Sequence, residues 1–408
     1  RHMANRFGYI IAFFVMLFLY MPFYRKINIS SAYEYLERRF GTWARVYAAC
    51  GFLLFQLMRT GIILYAVCLS IKEISGFDVP AIAIVFGVVV SFYTIAGGLE
   101  AVMWTDVLQG FALMLGGLIC LPFLLMKVPG GFTEIFSTAY ADGKLSMGSM
   151  DFNWAQKTFW AMTAFSIFNF LYLGCVDQST VQRYCAPRDK KQAVNAMITG
   201  ALLSIPVWVY FTFIGTAIYV FYKVNPNPEI AAIASEPERI LPFFIMRQLP
   251  AGLAGFVIAG LLAAAMSTID SGINASAATI ISDFYRRFYA KNRDEKHYVS
   301  ASRWFSTLFS VLMIATALLI HYTRTQTLAD LQAVLTSIVS SGLLGLFWLG
   351  FMTKRVGNKA AFVGVAVTIA LSIFWIISQD FFGKTMPDKF WMIVFLRSEE
   401  RRVGKECR

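Results

Sequence analysis

The chain has 408 residues, is 58% hydrophobic and 15% charged, and has a mean hydropathy of +0.60. Apolar runs of about twenty residues recur along nearly its whole length, too many for one soluble core, and the alternating polar strands of an outer-membrane barrel are missing. The net charge of +12 sits in short loops between apolar runs, which is a topology signal and speaks against a nucleic-acid partner. An all-α, multi-pass protein of the inner or plasma membrane follows, with the lipid bilayer as its solvent. Six cysteines without paired spacing and three scattered histidines give no disulfide framework, zinc site or di-metal bundle.

Ten spans are predicted in chain order, at 7–24, 45–71, 79–97, 106–127, 158–182, 192–222, 251–283, 301–321, 329–352 and 359–379. Lys and Arg orient them. The loops 25–45, 183–191, 283–303 and 354–359 hold eighteen basic residues, against ten in the longer alternate set. The first set is therefore cytoplasmic, and the first span begins outside. Loops 128–157 and 223–250 are long enough for short helices lying over the extracellular face. The closing stretch "RSEERRVGKECR" (397–408) resembles the translation of a sequencing-library adapter. It is expected to be a non-native tail, leaving 1–396 as the transmembrane domain.

Polar residues enter the membrane at four places. The second span carries Arg59 in "LLFQLMRTGIILY", with Gln56 one turn earlier on the same face. Too deep to snorkel, Arg59 either neutralises an internal carboxylate or receives an anionic ligand group, for which its fork is suited. Asp106 follows "IAGGLEAVMWT" and is read either as the N-cap of the fourth span or as a cation relay at its cytoplasmic mouth. The fifth span, "FSIFNFLYLGCVDQSTVQRYCAP", places Asn169, Gly174, Asp177 and Gln178 at depth. That pattern fits a helix interrupted around a cavity, or an ordinary kink with a polar end. The seventh span sets Ser267, Asp270, Ser271 and Asn274 at i, i+3, i+4 and i+7, a single stripe continued by Ala263, Ala264 and Ala278. A carboxylate in such a place must face protein, water or an ion. The hydroxyls of Ser267 and Thr268 either complete a hard-oxygen cation site or bond their own helix carbonyls and pack.

Four segments in order, "SSAYEYLERRFG", "YTIAGGLEAVMWTDVLQ", "DQSTVQRYCAPRDKKQA" and "AAAMSTIDSGINASAATIISDFY", resemble the sodium/solute symporter family over roughly residues 6–396. The resemblance implies a leucine-transporter-like fold of inverted five-helix repeats, with substrate and sodium held at broken helices near the midplane. It implies that the spans start at the second helix of the first repeat. The first broken helix is then absent, and the fragment is expected not to transport on its own. By position it assigns a main sodium site to the Ala264 carbonyl and the Ser267 and Thr268 hydroxyls. A possible second sodium site or exit path falls on Asp106, Ser267, Asp270 and Ser271, with Asp270 standing where a hydroxyl is usual. Arg59 falls where sialic acid members meet the substrate carboxylate, with Gln56, Asn169 and Tyr172 as further substrate-binding positions. Two departures are noted. Arg6 or its neighbours stand where a substrate-binding Gln is expected, and Leu173 and Gly174 replace the aromatic gate pair of sodium–glucose carriers.

The expected function is sodium-coupled symport of a small organic solute, an anionic sugar such as sialate or another sugar or carboxylate, with Na+ as the coupling ion and no obligate protein partner. The rival readings are a transporter-like membrane sensor and a proton-coupled or sodium-independent carrier. An enzyme is not expected, since acids and histidines do not cluster at a membrane face.

Overall fold

The computed structural model describes residues 4–27, 31–146, 148–152, 158–185, 187, 189–233, 239–323, 342–353 and 355–382. Every regular element among them is helical. Seven helices are long and apolar enough to cross a membrane: α1 (Arg6–Ile27), α3 (Thr42–Ser75), α4 (Val79–Gly98), α5 (Val102–Lys127), α9 (Lys190–Val224), α12 (Ala251–Tyr289) and α13 (Glu295–Thr323). An eighth crossing is broken into α7 (Phe159–Cys175) and α8 (Gln178–Cys185), bent by 61°. Two shorter apolar helices follow, α14 (Leu343–Met352) and α15 (Asn358–Phe382). Short helices lie between spans: α2 (Ala32–Phe40), α6 (Gly131–Ala141), α10 (Pro228–Ile233) and α11 (Ile240–Gln248). The first eight predicted spans are met by these helices, α14 falls within the predicted ninth and α15 covers the predicted tenth, and the interruption falls where Gly174 and Asp177 announced it. Residues 329–341 of the predicted ninth span and the tail 397–408 lie outside the described residues.

Local chemistry explains the boundaries. Asp189 caps α9 by accepting from the Gln192 amide at 2.7 Å, and Thr158 caps α7 from the Ala161 amide at 3.3 Å. Asp78 precedes α4, with a proline in its first turn. Between α4 and α5, Gly98 takes φ 64°, ψ −167°, a conformation barred to residues with a Cβ. After that turn α5 runs beside α12, with Ala112 close to Gly260 and Gly116 close to Val257.

Three apolar clusters hold the helices together. Ile62, Leu64 and Cys68 of α3 meet Ala83 and Val90 of α4, Ile269 and Ile273 of α12, and Phe309 and Met313 of α13. A second cluster joins α1, α2, α7, α14 and the first half of α3 through Tyr20, Leu36, Phe52, Tyr172 and Phe347. The third packs α5, α6, α9 and α11 around the start of α12. Large side chains left outside, such as Phe92, Leu108 and Leu202, lie on spans, where the surrounding solvent is lipid.

The basic loops gather at one end, as the positive-inside reading requires. There Asp283, fully buried, accepts from Arg45 Nε at 2.6 Å and from Ser31 Oγ at 2.7 Å. Glu37 of α2 binds both Arg45 (2.9 Å) and Arg287. Arg25 donates to the carbonyls of Tyr184 and Pro187, and Arg39 to those of Thr353 and Val356. At the opposite end Lys223 pairs with Asp142, and Arg239 with Glu73. Asp142 lies outside the spans, and its carboxyl is held below the usual range by the Lys223 hydrogen bond.

Removing one member of the buried cluster leaves a desolvated charge. Asp283→Ala is expected to cost about 3–5 kcal/mol, read as a lowered thermal midpoint of the detergent-purified chain. An Asp283→Leu/Arg45→Met pair is expected to recover part of that loss. A midpoint unmoved by Asp283→Ala would show that the cluster carries no stability.

Candidate functional site

Unwound backbone at membrane depth, as at the break between α7 and α8, must find partners. Both Val176 and Asp177 donate their amides to the Tyr172 carbonyl, at 3.0 and 3.2 Å. The Tyr24 hydroxyl of α1 donates to the Cys175 carbonyl at 2.6 Å. Asp177 Oδ1 then starts α8 as an N-cap, accepting from the amides of Ser179 (3.0 Å) and Thr180 (3.3 Å) and from the Ser179 hydroxyl. Gln178 turns toward the cytoplasmic end and takes the Ala32 amide at 2.8 Å. Every one of these bonds fixes the bend. They leave Asp177 Oδ2 buried with no hydrogen-bond partner among the described residues.

Helix α3 faces this break. The Phe55 ring meets the Tyr172 ring edge-on at 5.6 Å, which sets the next turn of α3, bearing Arg59, within electrostatic reach of Asp177. Arg59 is half-buried and forms no hydrogen bond or ion pair among the described residues. Gln56 is buried, with Oε1 unpartnered among the described residues. Both sequence readings of Arg59 thus meet here: an internal carboxylate is near, yet none of the described residues takes up the guanidinium donors. Asn169 is half-buried one turn before Tyr172 and makes no hydrogen bond among the described residues. Arg6, the departure at the N-terminus, lies with its guanidinium 3.9 Å from the Trp208 ring centroid on α9.

On α12, Ser267 Oγ donates to the Ala264 carbonyl at 2.9 Å and Thr268 Oγ1 to the same oxygen at 3.4 Å. Three oxygens therefore converge. The contacts are those of back-bonded hydroxyls, and the same donor set, one carbonyl and two hydroxyls, is what a hard alkali cation accepts. The residues present fit sodium. Farther along, the helix passes close to α3. A Cβ on Gly272 would stand 2.5 Å from Thr60 Cγ2, so only glycine permits this approach.

The predicted stripe divides by partner. Asp270 is wholly buried and turned toward α4, accepting from Thr94 Oγ1 at 2.7 Å and from the Tyr93 hydroxyl. Ser271 and Asn274 instead line a cavity of about 510 Å3 with Thr94, Asp106, Ser179 and Arg183. Arg183 reaches Ser271 Oγ at 3.4 Å. Asp106 is felt electrostatically by Asp270 and itself feels Arg183, and its Oδ1 is buried without a partner among the described residues. The N-cap reading of Asp106 is corrected: α5 begins at Val102, so Asp106 lies inside the helix and caps nothing. Sequence reasoning missed Tyr93 and Thr94, whose only signal was a hydroxyl pair at the end of an apolar span.

The profile of the sodium:solute symporter family matches residues 2–368. The chain belongs to this family. It is 31% identical to the sodium/sialic acid symporter SiaT of Proteus mirabilis (strain HI4320) over 87% of this chain and 71% of the relative. The sodium/sialic acid symporter NanT of Aliivibrio fischeri is likewise 31% identical, over 89% and 72%. The human sodium-coupled monocarboxylate transporter 1 is 31% identical over 89% of this chain and 60% of the relative. Among solved structures, a substrate-bound, outward-open Na+-coupled sialic acid symporter superposes with a TM-score of 0.87 at 27% identity, covering 99% of this chain and 82% of that one. Mhp1 in its inward-facing form superposes at 0.54 and 16% identity, covering 99% and 83%, a likeness of fold alone. The fold is leucine-transporter-like. The chain is a multi-pass membrane transporter of the sodium-coupled symporter kind, moving a small organic solute rather than catalysing a reaction.

Gly272→Val tests the close approach of α3 and α12. Overpacking at Thr60 is expected to cost about 1–3 kcal/mol and to lower the thermal midpoint, while Gly255→Val, at a glycine with open space around it, leaves the midpoint in place. Equal midpoints for the two variants would contradict the contact.

Proposed function

We propose that this chain couples sodium to the movement of an anionic solute bearing a carboxylate, of the sialic acid kind. Arg59 carries the reading. A guanidinium in the middle of an apolar helix, opposite a broken span and without an ion pair among the described residues, is suited to a carboxylate arriving from outside. Gln56, Asn169 and Tyr172 are the neighbouring positions for the rest of the solute. The names of the relatives agree in one respect: sialic acid and monocarboxylates are both carboxylates.

Sodium is cargo in this scheme. Its main seat is the Ala264 carbonyl with Ser267 and Thr268, on the helix that packs against α8 and α3. Asp106, Asp270 and Ser271 form the second seat or the path by which the ion leaves. Their placement supports this: Asp106 and Ser271 line the cavity, and Asp270 stands behind Thr94, a wall residue. Coupling needs only that ion and solute favour the same conformation, a reciprocal free energy.

Two measurements test the assignment. Sodium, but not potassium or choline, is expected to raise the thermal midpoint of the purified chain. Ser267→Ala is expected to raise the sodium concentration giving half of that effect by roughly tenfold. A sodium response that Ser267→Ala leaves intact would remove the site from α12, and a response that potassium reproduces would favour a sodium-independent carrier.

Arg59→Lys keeps the charge and loses the fork. Binding of N-acetylneuraminate, followed by radioligand on the purified chain, is expected to fall on the order of tenfold to a hundredfold, with the sodium response retained. Undiminished binding would place the carboxylate elsewhere.

A further inference from the structure

Between α4 and α13 lies a second cavity of about 580 Å3. The two helices run antiparallel, so Val88 faces Val311 and Ile314 at the deep end, while Ala96 faces Arg303 at the cytoplasmic end. The deep end is closed by the contact of Gly87 with Ile314. Three of the lining residues, Val88, Phe92 and Val311, are 54%, 74% and 58% exposed on spans, so they meet acyl chains and not water. The hydroxyls in the wall do not alter this. Ser91 donates to Gly87 O at 2.6 Å, Thr307 to Arg303 O at 2.9 Å and Ser310 to Ser306 O at 2.8 Å, each satisfied within its own helix. The groove is in effect apolar along its length and cationic at one end.

Arg303 makes that end. It is exposed and forms no ion pair among the described residues. It stands eight residues into α13, roughly 12 Å from the helix start, within the basic cytoplasmic segment 283–303. Trp304 beside it is 67% exposed, the residue type that settles at headgroup depth. Ile95, Ala96 and Arg303 are also shared with the wall of the 510 Å3 cavity, so the cationic end is the partition between lipid and the aqueous mouth near Asp106.

We propose that this groove is a binding site for an anionic phospholipid, one acyl chain lying between α4 and α13 and the phosphate held by Arg303. The site is independent of the transport reading. A zwitterionic lipid would fill the groove equally well but would bring its own cation to Arg303, so the arginine selects net negative headgroups.

Native mass spectrometry of the full chain, titrated with phosphatidylglycerol and with phosphatidylcholine of matched acyl chains, tests the site. Phosphatidylglycerol is expected to be preferred roughly fivefold. Arg303→Gln is expected to bring that ratio to about one, and Val311→Trp, which fills the groove from its lipid-facing side and leaves the charge alone, to lower retention of both lipids. The proposal is overturned if the unaltered chain shows no preference or if Arg303→Gln keeps it. It is equally overturned if Val311→Trp retains both lipids, or if inorganic phosphate at millimolar concentration displaces phosphatidylglycerol.

Discussion

A helix can be broken inside a membrane only if its loose peptide groups are answered by the protein, since lipid offers no hydrogen bonds. That requirement organises the centre of this molecule. The answers come from three directions: Tyr24 on α1, the carboxylate of Asp177 acting as a cap, and the amide of Ala32 paired with Gln178. They bind the broken span to α1 and α2 on one side and leave its other side toward α3. Toward α3 the broken span presents Tyr172, packed on Phe55, and Asp177, which lies within electrostatic reach of Arg59. The bend and the arginine are two halves of one constraint.

The spans were legible because the bilayer imposes length and composition on each one locally. The interruption was legible for the same reason, as Gly174 and Asp177 are out of place in an unbroken apolar helix. Long-range partners were not. Nothing near Asp270 in the sequence names Tyr93 and Thr94, which arrive from 176 and more residues away. Nor does anything near Arg45 name Asp283, 238 residues distant. Asp106 was read ambiguously because a helix start was judged from the hydrophobic run. The actual start follows the turn at Gly98, so that Val102, Met103 and Trp104, ahead of Asp106, already belong to α5. The stripe on α12 was correctly seen as periodic, but periodicity does not say which neighbour each member meets.

Helix α12 is the element common to all of this. It touches α4 through Asp270, α3 through Gly272, α8 through Ser271 and the cytoplasmic cluster through Asp283. Substitutions along one helix therefore report on different parts of the molecule. The cluster at Asp283 also ties α2 to α12 and α3 through Glu37, and α2 touches the broken span through the Ala32 amide. A shift of the broken span relative to α12 is therefore linked to that short helix as well as to the direct contact of Arg183 with Ser271.

Charge at membrane depth points the same way. Among the described residues Asp177 lies near Arg59 and Asp270 near Asp106, while Asp106 shares its cavity wall with Arg183 and Arg303. Wherever these carboxylates are ionised, they attract cations and repel an anionic solute. An anion approaching Arg59 therefore meets a field that a bound cation weakens, and a cation approaching α12 meets one that a bound anion deepens. Electrostatics alone makes the two loads mutually favourable, before any conformational change is considered. Reciprocity then requires the same coupling energy in either order of binding. On the proposal that Arg59 takes the carboxylate of the solute, the arginine is then more than a specificity device: with these acids nearby, it would make the carboxylate and the cation bind better together than apart.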